Sequence, residues 1–290
     1  MSPAASALGI DIGGTHATAA FVDLTAMVVE SHVRADLPTD ADRESLVSLI
    51  LDTAATAASG RVGHVGVAVP GPFDYVHGIC RLEHKLAPLF GVDLRHELSK
   101  RLAVPGEHVS FVNDADAFLL GEWSSGAARG HRRTVGITLG TGLGSSFLED
   151  GRIIDDEFRV PPEGSLHLLT YRGAPVEETI SRAALIVRYG STGYDVDQIA
   201  VLARRGDERA QDAFAGLAAA LGEVVAPWLA SFQATCLVVG GSIAHAWDLL
   251  GPTLRRQVAG LERLEAVVPA TRIDDSALLG AAFAAAAGAR

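Results

Sequence analysis

Cysteine is nearly absent: the 290 residues hold two, Cys80 and Cys236, far apart and each in an apolar setting. Neither a disulfide framework nor a Cys-x-x-Cys metal knuckle can be built from them. Positive charge is short as well, with 24 Lys+Arg against 35 Asp+Glu and a formal net charge of -11. A nucleic-acid footprint needs a basic face, so no nucleic-acid partner is expected. A phosphate ligand stays open, because glycine-rich backbone holds phosphates without Lys or Arg. Long apolar runs are lacking too: the late apolar stretches read as too short, or as broken by Glu223 or by Gly and Pro, to span a bilayer. The opening MSPAASALGIDIGG has no basic region and is interrupted by Asp11, unlike a signal peptide. The expectation is a protein of a reducing compartment, the cytoplasm, with no membrane partner. What is present is an ordinary folded composition, 48% hydrophobic and 20% charged, long enough for one large or two medium domains.

The chain contains a repeat. LGIDIGGTHATAAFVD from Leu8 aligns without a gap on VGITLGTGLGSSFLED from Val135. Gly9 falls on Gly136, Ile10 on Ile137, Gly13 on Gly140 and Asp23 on Asp150. Each segment reads as apolar strand, glycine-rich turn and second strand ending in an acidic turn. The alternative is two unrelated glycine hairpins. The constant register favours a duplicated unit, with two glycine turns presented to one extended phosphate ligand.

Between and after the hairpins, strands alternate with helices. ESLVSLILDTAATAA has helical spacing, HVGVAVPG is a strand, Leu94–Leu102 a helix, HVSFV a strand, and DADAFLLGEW opens a helix. The region from Val176 to Ala230 is mostly helical, and ATCLVVGG is read as the last strand. This is an α/β pattern with sheets covered by helices. A smaller lobe is expected over residues 1–116 and a larger one over 117–275, with a final helix over 276–290 returning to the first.

Four places carry chemistry. Asp11-Ile12-Gly13-Gly14-Thr15 offers backbone N–H donors, a hydroxyl, and a carboxylate able to orient a hydrated Mg2+. A hairpin whose glycines serve only the turn leaves Asp11 on an apolar strand unexplained. Leu139-Gly140-Thr141-Gly142-Leu143-Gly144 resembles a dinucleotide fingerprint, but a strand follows it instead of a helix, which rejects that reading. Asn113-Asp114 stands where a strand gives way to a helix. Asp114 is there either a helix cap or a carboxylate at the open end of a sheet. Gly240-Gly241-Ser242 is either a capped turn or a close approach to a base or ribose.

Taken in order, these motifs resemble the ROK family of sugar kinases, within the actin and hexokinase-like ATPases. The resemblance implies a two-lobed, duplicated, ribonuclease H-like α/β fold with the nucleotide cleft between lobes. It implies phosphate contacts from Asp11, Gly13, Gly14, Thr15, His16, Gly140, Thr141 and Gly142, and adenosine contacts from Gly240 and Gly241. Asp114 would be the catalytic base. Gly71 (in Val69-Pro70-Gly71-Pro72), Asn113, Glu163, Glu177, His167 and Lys85 would be the sugar-side candidates. The cofactors implied are ATP and Mg2+, the reaction is phosphorylation of a hexose, glucose first, and the assembly is a homodimer. Several positions depart from the family. PPEGSLHLLTYRGAPVEETIS has no cysteine where a zinc loop is usual, so no zinc site is expected. His167 falls one position late, Lys85 replaces a sugar-binding Asn, and His16 replaces a frequent Lys. Some relatives carry an N-terminal DNA-binding domain, for which the residues before Leu8 leave no room. A polyphosphate donor and a sugar sensor without turnover stand as alternatives.

Overall fold

Two five-stranded sheets with one shared strand order organise the chain. The structure is a computed structural model that describes residues 5–60, 62–83 and 86–288; Lys85 lies outside the described residues. The chain divides into one unit of residues 1–125 with 274–290 and another of residues 126–273.

In the first unit, β1 (Ser6–Ile12), β2 (His16–Asp23) and β3 (Val28–Asp36) form an antiparallel meander. Helix α1 (Arg43–Ala58) follows, its first turn capped by Asp42, which accepts from the Ser45 N–H at 2.8 Å. Strand β4 (Val65–Val69) is buried throughout and runs parallel to β1. The short hairpin of β5 (Phe73–Asp74) and β6 (Ile79–Cys80) leads through α2 (Leu94–Leu102) to β7 (Val109–Asn113) and α3 (Asp114–Ser125). The sheet order is β3-β2-β1-β4-β7.

The second unit repeats this plan. Strands β8 (Arg133–Leu139), β9 (Leu143–Glu149) and β10 (Arg152–Ile153) form the meander. A small ribbon of β11 (Thr170–Tyr171) and β12 (Ala174–Pro175) precedes α4 (Arg182–Tyr189), α5 (Val196–Arg204) and α6 (Glu208–Phe232). Then come β13 (Cys236–Gly240), α7 (Trp247–Val258) and β14 (Ala266–Pro269), giving the order β10-β9-β8-β13-β14. The repeat in sequence is therefore a repeat in topology. It is not copied into the pairing: Ile12 pairs with Ala17 but Leu139 pairs with Leu143, so the second turn is one residue tighter.

Helix α8 (Ser276–Ala287) belongs to the first unit and lies on β1, β4 and α3. Glycines make that fit: a side chain on Gly9, Gly66, Gly121 or Gly280 would overlap backbone of the element it faces. This contact keeps α3 whole within the first unit, so the division falls after Ser125 and not near Ala117.

Two other readings change. β14, a short half-buried strand beside β13, follows ATCLVVGG, which is not the last strand. The apolar stretch through Glu223 is not broken: α6 runs 25 residues past both Glu223 and Pro227 and is long and apolar enough to cross a membrane by length and composition alone. Phe214, Leu217, Leu221, Val225 and Leu229 bury it in the core of its unit. Glu223 lies outside that core, accepting from the Tyr171 hydroxyl at 2.6 Å.

Candidate active site

In the first unit, three parallel strands end level with one another. Asp11 pairs with Ala68 and Ala68 with Val112, so β1, β4 and β7 deliver Asp11, Val69 and Asn113 to the same sheet end. Ligands of open α/β sheets bind beyond the carboxyl ends of their strands. Burial pushes the Asp11 carboxyl up to about 7, the Asp114 charge adds to this, and Arg34 pulls the other way. Arg34 reaches this carboxylate along one row of the sheet, in which Asp11 pairs with Thr18 and Thr18 with Arg34.

The first glycine turn is closed by a hydrogen bond from the Gly13 N–H to the His16 carbonyl at 2.9 Å. The Thr15 carbonyl accepts from Leu37 N–H at 2.8 Å, while the Thr15 side chain is exposed. Burial first, and then Arg34, hold the His16 imidazole below its ordinary value against the pull of Asp36. A neutral ring therefore stands beside the first glycine turn at neutral pH.

Asp114 opens α3 and is exposed. Its Oδ1 accepts from the Ala115 N–H at 2.9 Å, a bond that N–H shares with Asn113 Oδ1, also at 2.9 Å. Asn113 is the residue before the helix and supplies a cap of its own. Gly71 is exposed on the loop after β4.

In the second unit, the turn between β8 and β9 is closed by Gly140 N–H to the Gly142 carbonyl at 3.1 Å, and Arg182 N–H donates to the Gly140 carbonyl at 2.9 Å. Gly13, Gly140 and Gly142 do not adopt left-handed φ, so turn geometry does not demand glycine at these three positions. Space does at Gly142, where a Cβ would strike the Glu177 carboxylate. Glu177 Oε1 accepts from the Leu143 N–H at 2.8 Å, which places this expected sugar ligand at the second glycine turn. Gly241 has φ +81°, and a side chain there would overlap the backbone of Leu139. Gly240 pairs with Thr138 beside the same turn, and Thr141 at its tip is exposed.

Glu163 is exposed and holds φ 55°, a left-handed conformation costly for a side chain of this kind. The segment around it is fastened by Ser145, whose Oγ donates to the Gly164 carbonyl and accepts from Leu166 N–H, both at 2.8 Å. Leu166, Val176 and Ile180 are fully buried, so apolar packing anchors this region. His167, next to buried Leu166, is exposed. Among the described residues, no group of three or more His, Cys, Asp or Glu is placed to hold a metal ion.

Two residues beside these candidates escape sequence reasoning. Tyr75 hydrogen-bonds Asn113, and Arg34 acts on Asp11 and His16. Arg34 lies on an edge strand that reads as solvated, and nothing local marks Tyr75.

Residues 7–287 match the sequence profile of the ROK family. A glucokinase of Streptomyces coelicolor is 31% identical, with 95% of this chain and 96% of that relative aligned. An N-acetylmannosamine kinase of Salmonella typhimurium is 27% identical across 96% of this chain and 97% of its own length. The solved structure of a ROK family glucokinase from Streptomyces griseus in complex with glucose and AMPPNP has a TM-score of 0.76 at 27% identity, covering 98% of this chain and 99% of that one. The repeated units are accordingly those of the actin-like ATPase fold of ROK hexokinases, and the chain belongs to the ROK family.

Proposed function

We propose that this protein is a sugar kinase that moves the γ-phosphoryl group of ATP onto a hexose hydroxyl, with Asp114 as the base. The observation that carries the reading is the placement of two carboxylates at one sheet end: β1 and β7 end level with β4 between them, with Asp11 near the end of β1 and Asp114 directly after β7. Asp114 accepts a hydrogen bond from the attacking hydroxyl and takes its proton as the new O–P bond forms. The bond from the γ-phosphorus to the bridging oxygen breaks, and ADP leaves. Such transfers rest on positioning and charge neutralisation.

Mg2+ bound with the nucleotide supplies neutralisation of the triphosphate charge. The residues fit it: Asp11 is a half-buried carboxylate near the end of β1, beside the first glycine turn, an oxygen ligand of the kind a hydrated Mg2+ would take. Asp11 would hold it through water. Gly13, Gly14, Thr15 and His16, together with Gly140, Thr141 and Gly142, serve the phosphates, and Gly240 with Gly241 the adenosine. Asn113 and Gly71 serve the sugar, with Glu163 and His167 as further candidates. A homodimer is part of this reading.

The donor is ATP and the preferred sugar is glucose. The Streptomyces relatives support both assignments, and the N-acetylmannosamine kinase relative adds that sugar to the test. A coupled ADP-release assay over hexoses and N-acetylated hexosamines, run with ATP and with polyphosphate, tests them together. Turnover with glucose and ATP is expected. Turnover with polyphosphate alone overturns the donor, and sugar binding without turnover on any sugar overturns the kinase reading.

A further inference from the structure

The orientation of Asn113 is held from two sides, and one of the two partners lies outside every motif. Its Oδ1 accepts from the Ala115 N–H at 2.9 Å, and its Nδ2 donates to Tyr75 Oη at 3.2 Å. A backbone N–H only donates, so the carboxamide oxygen must face Ala115 and the nitrogen must face the phenol. Tyr75 in turn donates to the Val69 carbonyl at 3.2 Å. Its single proton is used there, so toward Asn113 the phenol oxygen accepts. Burial drives the Tyr75 hydroxyl far above its ordinary value, which keeps that proton in place through physiological pH. The relay joins two neighbouring strand ends, since Val69 and Asn113 are a paired couple at the ends of β4 and β7. Its oxygen also lies 3.7 Å from where a Cβ on Gly71 would stand, beside the loop after β4.

We propose that Tyr75 is a positioning and specificity-determining residue of the sugar site: its hydroxyl fixes the Asn113 carboxamide so that the remaining Nδ2 proton is offered to a sugar oxygen that accepts. The proposal rests on Asn113 binding the sugar, as read above. A carboxamide free to turn presents a donor or an acceptor edge at similar cost, and a hydroxyl satisfies either. A fixed donor discriminates, because a sugar lacking the matching oxygen leaves the N–H unpaired. Tyr75 does not touch the reacting atoms in this arrangement. It acts through Asn113.

The test is steady-state kinetics of wild type, Y75F, N113A and the double variant, with the best hexose and its mono-deoxy analogues. N113A is expected to raise the sugar KM. Y75F removes one oxygen from the relay and is expected to raise the sugar KM by about 3- to 10-fold, the range of a neutral hydrogen bond, with the ATP KM unchanged. The penalty for deleting one particular sugar hydroxyl shrinks in Y75F while penalties at the other positions persist. In the N113A background, Y75F costs nothing further. The proposal is overturned if Y75F costs the same factor with and without Asn113, if it raises every deoxy penalty alike, or if its kinetics match wild type. A wild-type deoxy profile and sugar KM in N113A identify a different failure, that of Asn113 as a sugar ligand.

Discussion

Glu177 Oε1 accepts a hydrogen bond from the backbone N–H of Leu143 at 2.8 Å, across the turn whose glycine leaves room for it. The carboxylate belongs to a segment more than thirty positions later in the chain, yet it braces the tip of the β8–β9 hairpin.

Gly142→Ala therefore evicts Glu177 from its place, since the new methyl meets the far end of a flexible side chain. G142A and E177A are each expected to raise the ATP KM by about 3- to 10-fold, the scale of one lost hydrogen bond. The double variant should be no worse than the poorer single one. ATP and sugar saturation curves check this, and a change confined to the sugar KM would return Glu177 to the sugar.

Asp114→Asn keeps the size and position of the side chain and removes the base. The expected outcome is a kcat lower by about 10² to 10⁴, with sugar affinity within a few-fold of wild type. Calorimetric titration of the sugar alongside the coupled assay separates the two quantities. A kcat near wild type removes Asp114 from the chemistry.

Asp11 predicts a pH dependence. Its folded value is raised from 3.8 to about 7, so the folded state binds the proton more tightly than the unfolded chain. The stability this contributes is complete below the unfolded value and is lost as pH rises through about 7. D11N, neutral at every pH, should melt several degrees above wild type at pH 8, with the gap closing toward pH 5. MgATP binding at neutral pH should release a fraction of a proton in wild type, because a carboxyl raised to about 7 is partly protonated there. Calorimetry in buffers of different ionisation enthalpy reads this release, and D11N should abolish it.

Gly280→Ala addresses the fold alone. A methyl there overlaps the backbone of Ala117 in α3, where neither helix has a flexible side chain to yield. The expected cost is about 1–3 kcal/mol or more, read as a lower urea midpoint with an unchanged slope.

What was legible in the sequence was local. Helix α2 spans the Leu94–Leu102 of the spacing argument, and both glycine hairpins are formed by adjacent residues. β14 was hidden because its four residues are only half-buried at a sheet edge and carry little pattern. Along α6 one glutamate and one proline look like interruptions, whereas Glu223 stands on the outer side and Pro227 is accommodated within the helix. The partners of Asn113 and Leu143 were invisible for another reason. Tyr75 and Glu177 meet them only after the chain has folded back over tens of residues, and no periodicity records that meeting.

Helix α8 gives this architecture an order of assembly. The strands it covers, β1 and β4, are made before the second unit, but the helix that seals Gly9 and Gly66 is translated only after the whole of it. The sheet of the first unit therefore keeps one apolar face uncovered while the second unit is made, a face for chaperones to guard until α8 docks.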